Sequence, residues 1–170
     1  INKELIKLQK IILSNTQINF NKIHWSNNFD SIKHKPSIIF ANEFFDCFAV
    51  QQFIKINQIW HEKKINFNKK ENRFFFHNSI LNNILLSKKL DKLVNLNDYN
   101  ESQIIEISNS RKEYFNKICN FIRKNLGIAI VIDYGYFSPI NYSTLQSVRL
   151  HRTTNILDSP GEQDITSLVN

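Results

Sequence analysis

The chain has 170 residues, 42% of them hydrophobic and 22% charged, which fits a globular domain with its own core rather than a disordered chain. No apolar stretch approaches the roughly 18 residues needed to cross a bilayer, so no membrane insertion is expected. The net charge of +7 comes from lysines scattered along the chain, with no dense basic run and no aromatic-basic cassette, so no specific nucleic-acid partner is expected.

The periodicity of Leu5, Leu8 and Ile12 predicts an amphipathic helix over 2–14. Ile18, Phe20 and Ile23 then predict a short strand ending near His24 and Trp25. Ile38–Ala41 is an apolar run too short for a helix, the pattern of a strand buried on both faces of a parallel sheet. Alternation of Ile54 with Ile56 and of Ile65 with Phe67 predicts antiparallel strands over 52–76, turning at Asn68–Asn72. Leu81, Ile84, Leu85 and Leu90 predict a helix over 79–94, and 95–103 reads as a loop.

Ser110-Arg111-Lys112-Glu113 fits a capping box at the start of a helix striped by Tyr114, Phe115, Ile118, Phe121 and Ile122. Gly127 is the expected left-handed stop. The run Ile128–Ile132 follows as a buried strand ending at Asp133. Helix, glycine and strand make one half of a β-α-β crossover, so the fold class is α/β. The tail from Phe137 reads as polar loop.

In open α/β sheets, ligands bind beyond the carboxyl ends of the strands. Two predicted strands end in polar residues there: Asn42 and Glu43, with Asp46 close behind, and Asp133. For one such residue helix capping is the favoured reading, and two strands ending this way bring function level with it. His61-Glu62 starts a zinc-type HExxH, but Ile65 stands where the second histidine belongs, and no metal site is expected. Cys47 and Cys119 lack metal-type spacing and read as buried, reduced thiols.

Ala41-Asn42-Glu43-Phe44-Phe45-Asp46 resembles the NEFFDALP segment of the MidA-type S-adenosylmethionine-dependent methyltransferases. Ile132-Asp133-Tyr134-Gly135-Tyr136 resembles their DYG strand end. Thr144-Leu145-Gln146, Arg149, His151 and Pro160–Thr166 resemble their tail. The motifs run in order from about Leu5 to Val169, departing at Cys47-Phe48-Ala49, where the family has Ala-Leu-Pro.

The resemblance implies a partial Rossmann-like seven-stranded methyltransferase fold. It would lack the first two and the last strands and carry an inserted antiparallel β and helical segment at about 52–108, so that 1–170 is one partial domain. The chain starts at Ile1 and contains no methionine, which fits an internal fragment. Such a fragment alone is expected to be poorly stable and to bind cofactor weakly.

The resemblance also implies the chemistry: methylation of a protein arginine in a subunit of respiratory complex I, with S-adenosylmethionine as cofactor. The setting would be the bacterial cytoplasm or the mitochondrial matrix. Asn42, Glu43 and Trp25 become cofactor candidates, with core packing the competing role for Trp25. Asp46, Asp133 and His151 become catalytic candidates, while Glu162 and Asp164 would organise the tail loop. The alternatives are a non-catalytic assembly module on the same fold, an oxidoreductase whose Gly-rich turn lies upstream, and a basic nucleic-acid binder.

Overall fold

The computed structural model describes residues 3–26, 29–32, 35–95, 103–138, 140 and 142–170, which form two compact units, Ile1–Pro36 and Ser37–Asn170.

In the first unit, helix α1 (Lys3–Ser14) is the amphipathic helix the periodicity predicts, with Leu5, Leu8 and Ile12 exposed along one side. The strand expected to end near Trp25 is instead a 3-10 turn, Phe20–Lys22. The Asn19 side chain accepts the Asn21 N–H at 3.1 Å and the Ile23 N–H returns to the Phe20 carbonyl at 3.1 Å. These local bonds compete with an extended ladder. Trp25 packs against α1: its indole N–H donates to Gln9 Oε1 at 3.0 Å, and Lys10 Nζ lies 5.2 Å from its ring centroid.

The second unit begins with β1 (Ile38–Asn42). It pairs in parallel with β6 (Ile128–Ile132), Ile38 opposite Ile128 and Asn42 opposite Ile132. The strands match the sequence reading; the burial does not. Ala41 is buried, but Ile38 is 77% exposed and Phe40, Ile128, Ile130 and Ile132 are exposed too. Among the described residues this sheet has only these two strands, so both of its edges are left without a ladder partner.

Between them lies a four-stranded antiparallel sheet: β2 (Gln51–Ile56), β3 (Ile59–Asn68), β4 (Arg73–Ile80) and β5 (Ile104–Ile107), in the order β4-β3-β2-β5. Asn57 and Gln58 join β2 to β3 with left-handed backbone at both residues, the two-residue turn whose twist suits a hairpin. Helix α2 (Ile84–Asn95) starts later than the periodicity predicts, because β4 continues to Ile80 in register with His61. The loop expected after it falls mostly outside the described residues.

The register puts Phe53, Trp60 and Ile105 on one face, where they form the core with Leu90 of α2. Asp91 fastens the helix, accepting from Lys55 Nζ at 2.8 Å and Trp60 Nε1 at 3.0 Å. These bonds, Lys55 first, hold its carboxyl below the ordinary value. The opposite face carries Ile59, Ile65, Phe67, Phe74 and Ile80, all exposed.

Helix α3 (Asn109–Asn125) returns the chain to β6. Its cap is Ser108, not Ser110: Ser108 has extended backbone, and its side chain accepts the Arg111 N–H at 3.2 Å. The left-handed residue at the other end is Leu126, not Gly127. Gly127 serves close approach instead, since a Cβ there would stand 2.5 Å from the Ser37 carbonyl oxygen.

The tail is not plain loop. Strands β7 (Gln146–Arg149), β8 (Arg152–Thr153) and β9 (Asp164–Thr166) form a small antiparallel sheet in the order β8-β7-β9. Both cysteines are exposed rather than buried, Cys47 in the turn after β1 and Cys119 on α3.

Candidate functional site

The carboxyl ends of β1 and β6 come together at one junction. Glu43 extends the ladder, its N–H donating to the Ile132 carbonyl at 2.8 Å, and left-handed backbone at Glu43 then turns the chain. Phe44, Phe45 and Asp46 direct their amides at Asp133 Oδ2, at 3.1, 2.7 and 3.3 Å, while Asp133 Oδ1 accepts the Tyr134 N–H at 3.0 Å. One carboxylate gathering successive amides fixes the turn by charge-assisted hydrogen bonds. A Phe44, Phe45, Phe48 and Tyr114 ring cluster packs it against α3, with Phe44 5.2 Å from each of the other three.

Asn42 and Glu43 are exposed at this strand end, whereas Asp46 is only 7% exposed. Burial, and next the charge of Asp133, push the Asp46 carboxyl above its ordinary pKa. A carboxyl in that state is a better proton acceptor than a solvated one.

Arg111 has no site role in the sequence reading. From the first turn of α3 its guanidinium donates to the Phe45 carbonyl at 2.9 Å, the Leu168 carbonyl at 3.0 Å and Ser167 Oγ at 2.8 Å. Burial pulls its pKa down, opposed by the negative groups around it, Asp133 first. The available signal was positional: a cation in the first helical turn opposes the helix dipole and calls for a reason elsewhere.

Glu106 was also missed. It accepts from Gln52 Nε2 at 2.7 Å, from the Thr144 N–H at 3.0 Å and from the Thr144 hydroxyl. Thr144 Oγ1 in turn accepts the Leu168 N–H at 3.0 Å, tying β2, β5 and the tail together. Next to the junction lies a cavity of about 430 Å³, lined in part by Phe45, Glu106, Arg111, Phe115, Tyr136 and Val169.

The other candidates sit on other elements. His151 occupies the exposed turn between β7 and β8, with left-handed backbone shared with Leu150. Trp25 belongs to the first unit, packed on α1 as described above. Glu162 pairs with Arg149 at 2.5 Å on the exposed surface, and Asp164 lies exposed on β9. Much of the tail's order comes from Gln163, whose side-chain amide donates to the Ile156 carbonyl at 2.9 Å and accepts from the Thr154 hydroxyl at 2.8 Å. Among the described residues, no group of three His, Cys, Asp or Glu side chains could hold a metal ion, and no helix is long and apolar enough to cross a membrane.

The chain is similar to curated proteins named protein arginine methyltransferase NDUFAF7, mitochondrial. The homolog from Caenorhabditis elegans is 26% identical over 148 residues, covering 87% of this chain and 34% of that protein. The Danio rerio protein is 24% identical over 152 residues, again 87% of this chain and 34% of that one. This chain therefore spans about a third of the length of these relatives.

A crystal structure from Burkholderia thailandensis bound to S-adenosyl-homocysteine shares the fold, with a TM-score of 0.81 at 19% identity over 99% of this chain and 43% of that one. A second structure from the same organism gives 0.68 at 20% identity over 84% of this chain and 38% of that one. The model of the family described as putative S-adenosyl-L-methionine-dependent methyltransferase matches residues 1–170, and the chain belongs to that family.

Proposed function

We propose that the full-length protein transfers a methyl group from S-adenosylmethionine to a guanidine nitrogen of a protein arginine, on a subunit of respiratory complex I. The names of the curated relatives support the arginine and the mitochondrial setting; a bacterial chain would act in the cytoplasm. The finer fold we infer is the seven-stranded Rossmann-like sheet, with residues 1–170 in one methyltransferase domain and 52–108 as an insertion. The exposed apolar side chains of β1 and β6 support it, since parallel strands are ordinarily covered on both sides.

The cofactor's hydroxyls and amine call for exposed hydrogen-bonding groups at a strand end, and Asn42 and Glu43 supply an amide and a carboxylate there. The contacts that Trp25 makes with Gln9 and Lys10 of α1 favour its packing role. When bound, the cofactor supplies an electrophilic methyl group on a sulfonium. Asp46 orients the substrate guanidinium by charge-assisted hydrogen bonds and takes the proton that the nitrogen sheds once the new N–C bond forms. Asp133 serves the same site by holding the turn that carries Asp46. His151, exposed on its hairpin, relays the proton to solvent.

The observation that carries this reading is the buried Asp46 carboxyl at the end of a parallel strand, in a turn held by Asp133. The test is transfer from labelled S-adenosylmethionine to an arginine-bearing complex I subunit by the full-length protein and its Asp46→Asn variant. We expect transfer to fall at least about 100-fold, with S-adenosylhomocysteine affinity nearly unchanged. Wild-type turnover by the variant would remove Asp46 from the mechanism.

A further inference from the structure

Two peptide planes flank the Asp46 Cα, and each is held by named partners. The plane before it is gripped at both ends: Arg111 Nε donates to the Phe45 carbonyl at 2.9 Å, and the Asp46 N–H donates to Asp133 Oδ2 at 3.3 Å. The plane after it is held through the Asp46 carbonyl, which accepts the Ser167 N–H at 3.0 Å. Ser167 is itself held by Arg111, whose Nη2 donates to its Oγ at 2.8 Å and its carbonyl at 3.3 Å. Peptide planes are rigid, so fixing both leaves the Asp46 Cα–Cβ direction with little freedom.

Arg111 reaches residues 66 and 56 positions away in the sequence. It does so from a helix start, where a cation is electrostatically disfavoured, and it is itself desolvated there. A well-packed apolar side chain at such a position is often as stabilising as a buried charge, so stability alone does not call for arginine.

We propose that Arg111 is a positioning residue for methyl transfer, aiming Asp46 by fixing the Phe45 carbonyl and the Ser167–Leu168 segment around it. This rests on the methyltransferase reading above. Arg111 acts through Asp46 rather than on the substrate.

The experiment compares the full-length wild type with Arg111→Met, Arg111→Lys and Ser167→Ala. It reads kcat, KM for the arginine substrate, S-adenosylhomocysteine affinity, thermal midpoint and the pH profile of kcat/KM. Misaiming by about 1 Å can cost on the order of 100-fold, so Arg111→Met should lower kcat by about that factor. Cofactor affinity should stay within about threefold, roughly half a pKa unit in free energy.

The acid limb of the profile distinguishes aiming from plain scaffolding. Asp46 faces Asp133 just beyond β6, Glu43 and the Cys47 thiol on its own turn, Asp164 from β9, and Arg111 from α3. Removing the one cation of that set moves the limb to higher pH. Arg111→Lys keeps the charge and returns the limb to its wild-type place while kcat stays reduced, because an ammonium lacks the planar fork that presents Nε, Nη1 and Nη2 to separate acceptors. Ser167→Ala removes a single acceptor and should cost a smaller factor in kcat with little change in melting, which keeps the test open if the methionine variant does not fold.

Wild-type kcat and an unmoved limb in Arg111→Met would overturn the inference, as would equal losses of kcat and cofactor affinity. In the event that Arg111→Met fails to fold, full activity in Ser167→Ala would overturn it. A wild type that transfers nothing sinks the methyltransferase reading itself, and this inference falls with it.

Discussion

The junction at the ends of β1 and β6 and the four-stranded sheet between them are held by opposite means. The sheet has an apolar core on one face, where Phe53, Trp60, Leu90 and Ile105 meet, and leaves the other face open. The junction holds segments far apart in sequence with polar bonds: Asp133 to 44–46, Arg111 to 45 and 167–168, Asp46 to 167. Burial of apolar area is non-directional and spread over many atoms, so the sheet absorbs single changes on its open face. Hydrogen bonds to one carboxylate are directional and concentrated, so the junction should fail at single atoms.

The largest effect should follow Asp133→Ala. It leaves the amides of Phe44, Phe45 and Asp46 without their acceptor. Bonds to a charged group are each worth about 1.5–3 kcal/mol, and because they share one acceptor we expect a total near about 3 kcal/mol. Urea unfolding of the full-length protein measures it; a loss below about 0.5 kcal/mol, the range of ordinary surface changes, would show that the turn holds without the carboxylate. Asp133→Asn keeps one acceptor oxygen and should abolish transfer with a smaller loss of stability and nearly unchanged cofactor affinity.

Gly135→Ala tests the junction sterically. A Cβ there would lie 2.5 Å from the Val169 carbonyl oxygen, where Gly135 bridges to Val169. Overpacking typically costs about 1–3 kcal/mol, here by pushing away the segment that Arg111 and Thr144 hold.

Asp46→Asn should act in the opposite direction on stability. The folded pKa of Asp46 lies above its unfolded value, so the folded chain holds this proton more readily. The favourable contribution is therefore full below the unfolded pKa and lost as pH rises through the folded one. A neutral asparagine escapes that loss, so the variant should melt higher than wild type at pH 7, with the gain shrinking as pH falls through the raised folded value and gone below the unfolded one. Lower stability of the variant at pH 7 would mean that the ionised carboxylate is welcome in the turn. Stabilisation together with lost transfer is the pattern of a residue kept for chemistry.

What the sequence made legible divides along the same line. The parallel strands and the antiparallel hairpins follow from apolar runs and period-two alternation, which are local signals. Strand ends in a parallel sheet pointed to Asn42, Glu43, Asp46 and Asp133 without any contact being known. Arg111 and Glu106 were not legible, because their roles come from partners dozens of residues away. Competing local chemistry explains the smaller errors. Asn19 captured the Ile18–Trp25 segment in a capped turn, Ser108 took the cap expected of Ser110, and the tail strands span four, two and three residues, too short for periodicity to register.

The smallest effect sharpens the comparison from the sheet's side. Ile65 lies opposite Phe76 on the open face and is 56% exposed. Ile65→Thr keeps the β-branch that suits a strand and replaces an ethyl group with a hydroxyl on a surface already largely wet. In isolation the change should stay within about 0.5 kcal/mol of wild type, as surface substitutions usually do. The same substitution in the full-length protein, followed by urea unfolding, reports on the face itself. A loss of about 1.5–3 kcal/mol there would mean that Ile65 is packed against something in the intact molecule, since burying an isoleucine is worth about that much. A loss within 0.5 kcal/mol would leave the face open, with the sheet's stability resting on the Phe53, Trp60, Leu90 and Ile105 core alone.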